Sequence, residues 1–214
     1  FHKYDLMNDI MSLGAHRIWK KEFINWLAPS NNKKLLDMAC GSGDISKLYI
    51  DSTKNSRVEA MDANSKMISI GKKKLNDYKN INWNVGRAEK LKFDDNIFDF
   101  YTISFGLRNV ANIDRALKEA FRVLKPGGRF MCLEFSKVQN SYLNKIYQIY
   151  SKKIPKIGKF IVGESKPYKY LIDSIGNFYN QEELVNLMKK NDFYKSEYRN
   201  LSGGVVAIHS GWKI

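Results

Sequence analysis

Apolar positions along this chain recur at two spacings. Over residues 4 to 28, Leu6, Ile10, Leu13, Ile18, Trp19, Phe23 and Leu27 fall at roughly helical intervals until Pro29 stops the pattern. That predicts helix, with Gly14 dividing it in two. Beyond it, short apolar runs alternate with amphipathic stretches. Leu35 and Leu36 lead to Asp37, a glycine-bearing turn and a helix from about Asp44 to Asp51; Val58 to Met61 ends at Asp62, ahead of a helix around 65 to 77. Ile81 to Val85 and Phe98 to Ser104 are the third and fourth strands. A helix over 112 to 124 meets Lys125-Pro126-Gly127-Gly128, a turn by its breaker residues, and a fifth strand follows from Arg129 to Phe135. From about 138 to 176 tyrosines, lysines and isolated glycines replace the alternation, the mark of a lid or substrate-binding insertion. A last helix, 181 to 190, precedes strands at 193 to 199 and 203 to 210, which close as an antiparallel hairpin at the sheet edge. The expected architecture is α/β: a mostly parallel seven-stranded sheet with an antiparallel edge strand, helices on both faces. With no repeat or low-complexity linker, residues 1–214 read as a single domain with an N-terminal helical region over 1–30.

Composition narrows the class. A chain of 214 residues that is 43% hydrophobic buries a core without a disulfide scaffold or structural metal. No run approaches the roughly 18 apolar residues of a spanning helix, so the expectation is a soluble or peripheral protein. Cys40 and Cys132, with His2, His16 and His209, show no metal-ligand spacing. Thirty-six basic residues against 22 acidic ones give a net charge of +14, which draws either nucleic acid or anionic lipid without choosing between them.

The chemistry concentrates at strand ends. In Asp37-Met38-Ala39-Cys40-Gly41-Ser42-Gly43-Asp44, Gly41 and Gly43 let a ligand approach the backbone where a strand turns into a helix, the usual locus of binding in open α/β folds. A dinucleotide fingerprint would want a glycine at 46, where Ser46 stands, and this argues against a nicotinamide cofactor. Asp62, ending the next strand, can accept from both hydroxyls of a ribose. Asp37 is placed either to order the loop or to face a cofactor ammonium. A sulfonium cofactor needs less anion-binding equipment than a pyrophosphate, and carboxylates accommodate its positive charge. Gly86-Arg87-Ala88-Glu89 would meet its adenine edge and Ser104-Phe105-Gly106 its methionine portion.

The ordered blocks of the chain resemble one family specifically. Tyr4-Asp5-Leu6-Met7-Asn8-Asp9, Met11-Ser12, His16-Arg17 and Trp19-Lys20 resemble the opening signature of the UbiE-type ubiquinone and menaquinone biosynthesis C-methyltransferases. Phe105-Gly106-Leu107-Arg108-Asn109, Arg122 through Phe130 and Leu133-Glu134-Phe135-Ser136 resemble its central blocks; Tyr168-Lys169-Tyr170-Leu171, Ser174-Ile175 and Gly204 through Gly211 resemble the later ones. The resemblance implies a Rossmann-like class I fold, S-adenosylmethionine as cofactor, and cofactor contacts at Ser42, Asp62, Arg87 with Ala88, and Ser104. Ser42 keeps the hydroxyl of the family's usual Thr, and Cys40 occupies a usual Gly position. Arg87 stands where the family more often has Asn or Asp, which leaves the backbone at Ala88 to meet the adenine. Lys92, Gly176 and Tyr179 depart from the familiar Pro, Arg and Pro.

What the resemblance implies for substrate is methylation of a ring carbon in a polyprenylated quinol precursor, by in-line attack of an electron-rich carbon on the sulfonium methyl. No metal or covalent enzyme intermediate is required. The substrate-side candidates are Arg108 and Asn109, with Tyr4, Asn8 and Glu134. Arg108 would stabilise phenolate charge and Asn109 would orient an oxygen; Glu134, His16 or water would serve as base, and His209 reads as a packing residue. Trp19, Trp26, Tyr147, Tyr150, Phe160 and Tyr168 could line an apolar passage or rest at a lipid interface. Expected partners are the quinol precursor, a membrane surface, and a homodimer or quinone-biosynthesis complex, with nucleic acid disfavoured. The ubiquinone branch and the matrix side of the mitochondrial inner membrane are the first expectation; the menaquinone branch and a bacterial cytoplasm with peripheral membrane association are the second. The rival functions are a nucleic-acid methyltransferase, whose bases would stack on the aromatics, and a noncatalytic assembly component.

Overall fold

The computed structural model describes residues 14–138 and 166–214, and Tyr4, Asn8 and most of the expected 138–176 insertion lie outside them. Helix α1, His16–Leu27, buries Trp19, Phe23, Ile24 and Leu27 along one stripe. It ends where Ala28 turns left-handed and returns its N–H to the carbonyl of Ile24, one residue before Pro29. The chain then alternates β1 (Lys34–Met38), α2 (Asp44–Asp51), β2 (Arg57–Asp62), α3 (Ser65–Lys74), β3 (Ile81–Val85), β4 (Phe98–Ser104), α4 (Ile113–Val123) and β5 (Leu124–Phe135). Helices α5 (Lys166–Asn177) and α6 (Gln181–Lys190) lead into β6 (Tyr194–Leu201) and β7 (Val206–Trp212).

The strands form one seven-stranded sheet in the order β3-β2-β1-β4-β5-β7-β6. The first five are parallel, and β7 pairs antiparallel with both β5 and β6. The expected antiparallel hairpin is therefore at the edge, with its reversed strand β7 one place in from the outermost strand. Successive strand residues face opposite sides, and both sides are buried, which is why the central strands read as unbroken apolar runs. Leu35, Phe100, Met131 and Leu133 pack with α1 and α2 on one face; Leu36, Tyr101, Phe130 and Cys132 pack with α4 and α6 on the other.

Two expectations are corrected. Helix α3 ends at Lys74 rather than near 77, because Leu75 leaves helical geometry. Lys125-Pro126-Gly127-Gly128 is a bulge within β5 instead of a turn ahead of it. Leu124 faces Phe98 and Arg129 faces Phe100, so these four residues bow out of register while both flanks stay paired. The bulged backbone is satisfied by the chain end, with Gly127 N–H donating to Lys213 O at 2.7 Å and Lys213 N–H to Gly128 O at 2.9 Å.

Candidate active site

The C-terminal ends of β2, β1 and β4 lie side by side, and the glycine turn after β1 runs between the other two. Gly43 holds φ of 87°, and a Cβ there would come within 2.5 Å of the Trp83 ring. Any larger residue would be strained twice over, by the backbone and by the contact. At Gly106, after β4, a Cβ would fall 2.3 Å from that of Ala39, so this glycine is what lets the β4 loop close against the glycine turn.

Asp37 is buried under this turn. Its carboxylate accepts the backbone N–H and hydroxyl of Ser46, at 3.0 and 2.6 Å, and the hydroxyl of Thr102 at 3.1 Å. Of the two roles left open by the sequence, the one visible here is ordering the turn and the start of α2. Burial pushes the Asp37 carboxyl up to about 6, against the opposing pull of the Ser46 and Thr102 bonds and the Lys20 charge. Ser46, noticed in the sequence only as a missing glycine, is the residue that ties α2 to β1.

Asp62 accepts the Gly41 N–H at 2.9 Å on one oxygen and the Asn64 N–H at 2.8 Å on the other. A carboxylate has about four acceptor sites, so these two bonds fix its orientation and leave capacity for a pair of hydroxyls. Beyond β3, Gly86 donates to Asp62 O at 3.1 Å, which draws the 86–89 turn toward the crevice. Ala88 is buried there and the Arg87 side chain is exposed. On the other side of β1, the Ser104 hydroxyl is buried and has no hydrogen-bond partner among the described residues. An orphaned hydroxyl fits a ligand that supplies its partner. Ser42 is buried beside Lys74, whose ammonium lies 3.5 Å from its hydroxyl.

The substrate-side candidates gather just beyond Ser104. Arg108 lies in a short 3-10 turn, Leu107–Asn109, and its Nη1 donates to Glu134 Oε1 at 2.6 Å and to Phe105 O at 2.8 Å. Both side chains are largely buried, 9% exposed for Arg108 and 1% for Glu134. Glu134 also accepts the backbone N–H groups of Arg108 and Phe135. Nε of Arg108 is buried and unpartnered among the described residues. Trp19, Phe105 and Phe135 form an aromatic cluster with ring centroids 5.0 to 6.2 Å apart, and the Arg108 guanidinium lies 5.5 Å from the Phe135 centroid. Asn109 is exposed and accepts from the Tyr170 hydroxyl of α5 at 3.1 Å, a contact that strand and helix periodicity could not show. His209 is a packing residue: it is buried in β7, with Nε2 3.1 Å from Gln181 O.

Asp37, Gly41, Ser42, Gly43, Asp62, Ala88 and Ser104 thus converge around one set of strand ends, with Arg108 and Glu134 adjoining. The profile of the ubiE/COQ5 methyltransferase family matches residues 1–213. The chain belongs to this family. It is a methyltransferase dependent on S-adenosylmethionine, and the orphaned Ser104 hydroxyl, the spare acceptor capacity of Asp62 and the glycine turn fit that cofactor. The ubiquinone/menaquinone biosynthesis C-methyltransferase UbiE of Rickettsia bellii is 50% identical over 220 residues, covering 99% of this chain and 88% of that protein. Solved structures share the fold of this family member at lower identity. A methyltransferase of Thermotoga maritima has a TM-score of 0.68 at 20% identity, covering 100% of this chain and 95% of that one. Phosphoethanolamine N-methyltransferase 2 of Haemonchus contortus, in complex with S-adenosyl-L-methionine, also reaches 0.68 at 14% identity, covering 91% and 52%.

Proposed function

We propose that this enzyme transfers a methyl group to a ring carbon of a reduced, polyprenylated benzoquinol, the 2-methoxy-6-polyprenyl-1,4-benzoquinol of ubiquinone biosynthesis. The observation that carries the reading is the buried Arg108–Glu134 pair beside the Trp19, Phe105 and Phe135 rings, next to the cofactor crevice. When bound, S-adenosylmethionine supplies an electrophilic methyl group. The work of the chain is to orient the two reactants and to raise electron density on the acceptor carbon.

Asp62 holds the ribose, Ala88 the adenine edge through its backbone with Arg87 flanking it, and Ser42, Gly41, Gly43 and Ser104 the methionine portion. Arg108 stabilises the phenolate oxygen of the substrate, and a charge-assisted bond to an oxyanion is strongest when donor and acceptor are both withdrawn from water. Glu134 already accepts three hydrogen bonds, one of them from the paired Arg108 guanidinium, so its role is to hold that guanidinium rather than to remove the proton. Asn109, with Tyr170, orients a second ring oxygen; Tyr4 and Asn8 are proposed to meet the substrate from the N-terminal segment.

The menaquinone branch is the second reading, because the name borne by the Rickettsia bellii relative covers both quinones. A bacterial relative also supports a bacterial cytoplasm with peripheral membrane association ahead of the mitochondrial inner membrane. No helix of the described residues is long and apolar enough to cross a membrane. The +14 charge suits an anionic lipid surface from which a prenylated substrate could be drawn, and a homodimer or a quinone-biosynthesis complex remains the expected assembly. The test is one assay with methyl-labelled cofactor offered a ubiquinone-type quinol precursor, demethylmenaquinol and RNA. Label on carbon of the benzoquinol is expected. Label on demethylmenaquinol alone moves the enzyme to the other branch, and label on RNA without any quinol product overturns the reading.

A further inference from the structure

S-adenosylmethionine carries a carboxylate as well as its sulfonium and ammonium charges, and the acids of the crevice cannot receive it. Asp37 and Asp62 would repel a third carboxylate brought among them. Two cations among the described residues stand beside the glycine turn: Lys20, from α1, whose charge acts on Asp37 beneath it, and Lys74, at the end of α3, next to Ser42. They meet on one residue: Asp44, in the first turn of α2, accepts from Lys20 Nζ at 2.7 Å and from Lys74 Nζ at 2.6 Å. Two ammonium groups around one carboxylate leave these three side chains together with one excess positive charge. The cluster adjoins the turn directly, since Lys74 Nζ lies 3.5 Å from the Ser42 hydroxyl.

We propose that Lys20, held by Asp44 and backed by Lys74, receives the carboxylate of the cofactor's methionine portion. This rests on the assignment of the crevice to S-adenosylmethionine and adds a residue to it. Three features single out Lys20. Its side chain is 15% exposed against 33% for Lys74, so its charge is the less screened by water. The bond to Asp44 uses one of its three donors, and the others can turn toward a second acceptor. Its charge also reaches the buried Asp37 beneath the turn, where it is one of the influences lowering that carboxyl. Arg108 stands beyond β4 and is the group assigned to the substrate oxygen, and Arg87 stands at the far, adenine side beyond β3. The arrangement gives α1 a second function: besides covering the sheet, it brings a cation to the cofactor.

The experiment is calorimetric binding of two ligands, S-adenosylmethionine and its decarboxylated analogue, to the full chain. The unmodified protein is expected to prefer the carboxylated ligand by tenfold or more. Lys20→Met should weaken S-adenosylmethionine by about that factor and leave the analogue within about twofold, abolishing the preference; Asp62→Ala, acting on the shared ribose, should weaken both alike and keep the preference. Lys74→Met, a change at a more exposed position, should reduce the preference partially, and it decides the matter if Lys20→Met does not fold. Equal affinity of the unmodified protein for the two ligands overturns the proposal, as does an equal loss of both in Lys20→Met. Failure of the unmodified protein to bind either ligand would remove the cofactor assignment itself, a different result from equal binding of both.

Discussion

At the level of single residues, the carboxylates of the site already have partners, while the Ser104 hydroxyl and Arg108 Nε have none among the described residues. Arg108 and Glu134 illustrate the consequence. A buried ion pair contributes little net stability when compared with apolar side chains, but removing one member strands the other without solvent. Glu134→Ala should therefore lower unfolding free energy by about 3 kcal/mol and reduce kcat strongly, with little change in S-adenosylmethionine affinity. Glu134→Gln keeps an acceptor for Nη1 and should recover part of both losses. Chemical denaturation, calorimetric cofactor binding and steady-state methyl transfer on the two variants check this, and full turnover in Glu134→Ala would remove the positioning role. The glycine turn, Asp62 and the Arg108 block were all legible as residues. Ser46 was not, since its value comes from an acceptor that lies nine positions away in the chain and directly beneath it in space.

Elements carry the next layer. Helix α6 was anticipated with the bounds it has, and its N-terminus explains why: the Asn180 side chain accepts Glu183 N–H while the Glu183 carboxylate accepts Asn180 N–H. This reciprocal cap is written locally and needs no tertiary context. Below it, Leu184, Val185 and Met188 face the sheet. Asn180→Ala should cost about 1 kcal/mol of stability, read as a lowered midpoint of thermal unfolding. The Lys125–Gly128 bulge shows the opposite case. Its proline and glycines signal a break correctly, yet the partner that keeps the segment in the sheet is Lys213, at the other end of the chain. A local pattern cannot reveal that pairing.

Across the whole molecule, two buried titratable groups pull stability in opposite directions with pH. Burial lowers His209 from 6.5 to about 4, partly countered by its contact with Gln181 O. In the interval between those values the unfolded chain binds more protons than the folded one, so the contribution of His209 is full above pH 6.5 and is lost as pH falls toward 4. The loss is on the order of 3 kcal/mol. Asp37, raised from 3.8 to about 6, has the reverse sign: its contribution is present below pH 3.8 and fades as pH rises through 6. The two windows overlap, and the combined curve is flatter than either alone. Replacing the histidine, in His209→Gln, should remove the acid-side loss and leave stability falling from pH 4 to 6, measured by denaturant unfolding across that range. An unchanged pH profile would show that His209 is not the group responsible.

The amino-acid order by itself determined the alternation of strands and helices, the glycine turn, the acids at the strand ends and the family to which the chain belongs. These are short-range properties, set by side-chain periodicity, backbone freedom at glycine and the residue types that chemistry requires. Tertiary structure alone decided that Glu134 holds Arg108, that Ser46 ties α2 to Asp37, that Lys20 and Lys74 meet on Asp44, and that β7 runs inside the edge. Each of these depends on charges and hydrogen-bonding groups from distant segments being brought out of water together, and the energy of such a meeting exists only once the sheet has assembled.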